Sequence, residues 1–284
     1  MQTHIPGRPN VVVQNVPGAG SMRMANNLYN SAPRDGTVIG APLNGMPQGP
    51  LLQPKAARFD PTKFTWLGSM YRANNVLYAW HTSPVQTLDE LMSKELIIGT
   101  SGPGSGSYDL SILGRDVLGL KLKIIRGYES TPQVNIAMER GEIHAQINGW
   151  DSIKAQRPTW AQDKLIVILG HFSLEDPVEL RSFRRIADLA KTEADKQALR
   201  LILARQAHGR PYFLPPDVPP ARAAALRRAF DATMKDPAFL ADAAGMKVDV
   251  DPMTGEQVQE LVVQVHTQTP AAVIERVQAM MSSN

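Results

Sequence analysis

Twelve residues, GTSGPGSGSYDL at positions 99–110, hold four glycines and four Ser/Thr hydroxyls, a density that suits an anion cradle. The apolar run LIIGT ends inside this stretch, and SYDLSILGRDVLG after it reads as a helix, so the loop joins a strand to a helix start. The first N–H groups of a helix have no internal partner, and the helix dipole adds partial positive charge there. Glycine lets a ligand approach the backbone, while serine and threonine add hydroxyl donors. Ser101, Gly102, Gly104, Ser105, Gly106 and Ser107 are therefore the first candidate ligand contacts. Tyr128, Ser130 and Thr131 in YESTPQ, and Asn148 and Trp150 in INGWDS, occupy the same strand-to-helix position further along.

The nucleotide versions of such a loop fail. Gly99 and Gly104 have the spacing of G-x-x-x-x-G-K-[ST], but Ser105 stands where lysine must be. Gly102 and Gly104 open a G-x-G-x-x-G pattern that ends on Ser107. A small carboxylate needs only a few donors and is the simpler ligand. Catalytic patterns are scarce. The six histidines do not cluster, no H-E-x-x-H occurs, and the GPGSG segment puts Gly104 where a nucleophile elbow needs serine. Asp109 and Asp151 read as capping or solvated groups. No catalytic residue, metal ligand or cofactor is expected.

Composition agrees with a globular protein: 284 residues are 43% hydrophobic and 20% charged, enough for two domains. Cysteine is absent, which excludes thiolate nucleophiles, disulfides and cysteine-based zinc sites. The net charge of +3 is spread out, with RSFRR at 181–185 as the densest cluster. Without a basic stripe interleaved with aromatics, nucleic-acid binding is not expected. The opening residues lack the charged-then-apolar pattern of a leader.

The elements that must position these loops alternate. Strand patterns fall at 10–15, 37–42, 64–70, 76–81, 96–100, 121–128, 143–149 and 164–172, with helical patterns at 21–32, 87–94, 107–119, 130–142 and 150–156. The last third reads as helices. This order predicts an α/β protein with mostly parallel sheets. A Pro cluster in YFLPPDVPP marks a second crossing, so domain one is expected over 1–96 plus 215–284 and domain two over 97–214, with a ligand cleft between them.

The segments GRPNVVVQNVPGAGSMRMANNLYNSAPRDGTVIG, FDPTKFTWLGSM, GTSGPGSGSYDLSILGRDVLG and IRGYESTPQVNIAMERGEIHAQI resemble the solute receptors of tripartite tricarboxylate transporters, the Bug or TctC type. The resemblance covers nearly the whole chain. It implies a two-domain, type II-like periplasmic binding fold that closes on a small organic carboxylate and presents it to membrane permease subunits. The protein would be a periplasmic, monomeric receptor without catalysis. It adds Asn44, Gly45 and Met46 to the expected ligand contacts. It departs in two places: the chain looks short by about one N-terminal βα unit, and Asn148 stands where many relatives carry an aspartate. A hydrolase or transferase acting on a carboxylate or ester in the same cleft is the alternative reading.

Overall fold

The computed structural model describes residues 1–16, 18–102, 105–174, 176–246 and 248–282. Along the chain, α1 (Met22–Asn30) and the single turn α2 (Gly49–Leu52) precede strands β1 (Thr65–Ser69) and β2 (Asn75–Trp80). Next come α3 (Leu88–Leu91), β3 (Leu96–Thr100), α4 (Gly106–Asp116), β4 (Leu122–Arg126) and α5 (Thr131–Glu139). Then follow β5 (Ala145–Gly149), α6 (Trp150–Gln156), α7 (Pro158–Gln162) and β6 (Ile166–Phe172). The remainder is α8 (Glu193–Ala207), β7 (Pro211–Leu214), α9 (Pro220–Thr233), α10 (Pro237–Gly245), β8 (Met253–Thr254), α11 (Gly255–Gln268) and α12 (Ala271–Ser282).

Local chemistry explains several starts. Thr87 accepts a hydrogen bond from Glu90 N and caps α3. Proline lies in the first turn of α5, α7, α9 and α10, where its missing N–H is not needed. Thr254 and Gln257 form a reciprocal capping box that opens α11. Among the described residues no helix is long and apolar enough to cross a membrane.

The chain divides into two compact units, one of residues 1–72 and 204–270, the other of 73–203 and 271 onward. The chain crosses between them at 72/73, within α8, and at 270/271, where the sequence had suggested 96/97 and 214/215. The difference comes from β2, which pairs with β5 and β6 and so belongs to the second unit's sheet.

The first unit holds a three-stranded sheet in the order β7-β1-β8, antiparallel throughout rather than the mostly parallel sheet expected. Helices α9 and α11 cover β1. Its core gathers Phe64, Trp66 and Phe213, with the Phe64 and Phe213 ring centres 4.2 Å apart. α1 seats Met22, Ala25 and Leu28 in this core, three residues apart on one face. Two expected strands do not form. Residues 10–16 make no hydrogen bond to another described residue, and Val12 and Val13 are 70% and 85% exposed. Residues 37–42 keep only an isolated pairing of Gly40 with Phe213. A β-branched run becomes a strand only when a neighbour takes its backbone groups.

Near the core of this unit, His208 is fully buried with Nε2 3.4 Å from Gln48 Nε2. Burial, with a smaller contribution from the Arg205 charge, pushes its imidazolium down to about 4. Between that value and the ordinary one near 6.5 the unfolded chain binds the proton and the folded one does not, so stability is complete above about 6.5 and falls with pH toward 4. The linkage amounts to roughly 3 kcal/mol over that window. Melting curves of the wild type and His208→Gln between these limits should converge as pH falls; parallel curves would contradict the assignment.

The second unit carries a five-stranded sheet in the order β4-β3-β5-β2-β6. β3 pairs parallel with β4 and β5, while β2 runs antiparallel between β5 and β6, so four strands share one direction. Val76, Tyr78, Val134, Met138, Ile143 and Trp160 build the core on one face.

Candidate functional site

The sheet order of the second unit brings the sequence candidates together. β4, β3 and β5 are neighbours with a common direction, so their carboxyl ends, and the residues 101–102, 127–131 and 148–150 that follow or close them, lie along one edge. In open α/β sheets ligands bind beyond this edge. The first two exits are tied to each other: Gly127 N donates to Ser101 O at 3.1 Å, and Tyr128 N to Thr100 O at 3.4 Å.

In the glycine loop, Ser105 is the N-cap of α4 and accepts from Tyr108 N at 3.3 Å while donating to Gly102 O at 2.7 Å. Ser107 Oγ lies 3.4 Å from Ser105 Oγ, and its carbonyl accepts from Ser111 Oγ. Asp109 N is held by Ser105 O. The remaining first-turn N–H groups, those of Gly106 and Ser107, have no partner among the described residues. Gly102 has φ +148°, a conformation that only glycine adopts readily. Ser101 and Gly106 are exposed, and space around Gly106 is open. Gly104 lies outside the described residues.

At the second exit, Ser130 is the N-cap of α5, yet its hydroxyl makes no capping bond and stays exposed beside Thr131. Tyr128 is half-buried, and burial, with a smaller effect of Glu142, raises its pKa, so the phenol remains a protonated donor at neutral pH. Gly99 makes this packing possible. A Cβ there would stand 2.4 Å from Ile143 Cδ1, 2.9 Å from Val134 Cγ1 and 3.2 Å from Tyr128 Cε2. Gly99→Ala should therefore destabilise by about 1–3 kcal/mol in thermal unfolding; a stability equal to wild type would contradict this packing.

The third exit is occupied by its own structure. Asn148 Oδ1 accepts from Gly149 N at 2.9 Å. Trp150 N donates to Asn74 O, and its indole N–H donates to Glu179, which also takes Lys154 Nζ. The structure thus gives Trp150 a tethering contact. Asn74 and Ser173, bonded to each other at 3.2 Å, belong to the same edge because β2 begins and β6 ends there. Sequence reading missed both; the only sign was their position at strand ends. Asn44, Gly45 and Met46 lie in the first unit. Met46 is fully buried in its core, while Asn44 and Gly45 are partly exposed, and the site of a Gly45 Cβ is 3.7 Å from an Arg205 guanidinium nitrogen.

Among the described residues no group of three or more His, Cys, Asp or Glu side chains could hold a metal ion. Each histidine has its own separate neighbour: His4 has Asp236, His81 the Trp80 ring, His144 the Ile97 N–H, His171 Asp176 at 3.8 Å, His208 Gln48 and His266 the Pro47 carbonyl.

Compared by sequence, the chain matches no family model and no curated protein. Compared by structure, it is similar to a TctC solute binding protein from Polaromonas without ligand, at 14% identity and TM-score 0.73, covering 96% of this chain and 89% of that one. It is similar to the periplasmic binding protein BugD, at 17% identity and TM-score 0.64 with coverages of 94% and 86%. It is also similar to MatC from Rhodopseudomonas palustris with bound malate, at 17% identity and TM-score 0.58 with coverages of 93% and 85%. The fold is that of two-domain periplasmic solute-binding proteins.

Proposed function

We propose that this chain is a solute receptor of the Bug or TctC type, which captures a small organic carboxylate outside the cytoplasm and delivers it, as a monomer, to the permease subunits of a tripartite tricarboxylate transporter. The observation that carries this reading is the pair of adjacent strand exits fastened through Ser101 and Gly127, where the N–H groups of Gly106 and Ser107 have no partner among the described residues and the Ser107 hydroxyl stands beside them. That is a donor set for a carboxylate group, which accepts several N–H and O–H bonds at once. Ser101, Ser130 and Thr131 extend it along the same edge. The malate of MatC supports a dicarboxylate as a first ligand to test. A receptor returns its ligand unchanged. After prolonged incubation, labelled malate and simple carboxylate esters should be recovered intact; product in excess over protein would point to an enzyme instead.

A further inference from the structure

Away from the strand exits, the first unit has an open groove of about 610 Å³ between the last turn of α1 and the segment 55–58. Its walls are polar: Asn26, Asn27, Asn30 and Ser31 on one side, Lys55 and Arg58 on the other, with Ala56 between. We propose that this groove is a separate binding site for a small hydrophilic oxyanion of the phosphate type.

The argument is a count of donors and acceptors. Asn26 Nδ2 donates to Ala56 O at 2.9 Å, and Arg58 N donates to Asn26 Oδ1 at 2.6 Å. Asn30 Nδ2 donates to Asn26 O at 2.8 Å and Arg58 O at 3.0 Å. Asn27 O accepts from both Ser31 N and Ala32 N. The carbonyls of Asn26, Asn27, Ala56 and Arg58 are thereby engaged. The leftover groups are mainly donors. The side chains of Asn27, Ser31, Lys55 and Arg58 have no hydrogen bond or ion pair among the described residues. All four are exposed, and no carboxylate lines the groove. Lys55 and Arg58, without counter-ions among the described residues and next to walls fixed by internal hydrogen bonds, can converge on an oxyanion.

Inorganic phosphate titrated into the full chain at low salt, followed by calorimetry, should bind in the millimolar range. Lys55→Gln with Arg58→Gln should weaken it by about tenfold or more. The same double variant should leave carboxylate binding unchanged, and Gly106→Trp should leave phosphate binding unchanged. Co-sedimentation of the wild type with phosphatidylglycerol vesicles, lost in the double variant, would assign the phosphate to a lipid headgroup; phosphate binding without co-sedimentation assigns it to a free ion. No phosphate binding by the wild type, or equal binding by the double variant, overturns the proposal.

Discussion

Gly106→Trp should abolish carboxylate binding while leaving the fold intact. Gly106 opens α4, is exposed, and has no heavy atom within 4 Å of where its Cβ would stand. Its backbone is outside the positive-φ region, so a larger residue is accommodated without strain. The cap is kept, since Ser105 still accepts from Tyr108 N. The indole would instead fill the space in front of the Gly106 and Ser107 N–H groups, which have no partner among the described residues. A loss of at least about 100-fold in affinity, roughly 2.7 kcal/mol, is expected by calorimetry. Melting should move by only a few tenths of a kcal/mol, as for other exposed substitutions. Gly106→Ala, adding one methyl to open space, should bind as wild type. Undiminished binding by the tryptophan variant would remove the glycine loop from the site.

Gly68→Ala should have the largest effect on stability. Gly68 sits at the β-bulge of β1, where pairing with β7 slips between Trp66 and Gly68, and has φ +149°. A Cβ would stand 2.2 Å from Phe230 Cε1 and 2.8 Å from the Met253 carbonyl oxygen. Phe230 is buried, and Met253 belongs to β8, which pairs with Gly68 itself. Neither neighbour yields without shifting the sheet or α9. Backbone strain and overpacking together should cost about 3 kcal/mol or more. At about 2–4 °C per kcal/mol, melting should fall by roughly 6–12 °C. An unchanged melting temperature would contradict the β1 geometry described here.

What the sequence disclosed follows from the range of the interactions involved. The glycine loop and the Thr87 cap are local, so residue types within a few positions define them, and both are found in place. Helix α8 gave a weaker signal: Ala198, Leu199, Leu201, Ile202, Leu203 and Ala204 are all buried, which leaves only a narrow exposed stripe of Glu193, Lys196 and Arg200. The pairing of β2 with β5 and β6 joins residues 66 to 97 positions apart, beyond any local pattern. The run at 10–15 shows the reverse. Its valines have strand propensity, but no described residue takes their backbone groups. At the candidate site, sequence located the exits but not what their side chains already do. The indole of Trp150 is committed to Glu179 and the amide of Asn148 to Gly149, facts that depend on rotamers.

The central claim, that the strand exits hold a carboxylate, is tested most directly by thermal unfolding of the full chain against a panel of mono-, di- and tricarboxylates, with ATP and NAD as controls. A ligand present at about 100 times its dissociation constant stabilises by roughly 2.7 kcal/mol. That corresponds to a rise of about 5–11 °C at 2–4 °C per kcal/mol. The account predicts such a rise with one class of carboxylate and none with either nucleotide. A melt unmoved by every carboxylate, or moved equally by ATP or NAD, would contradict it.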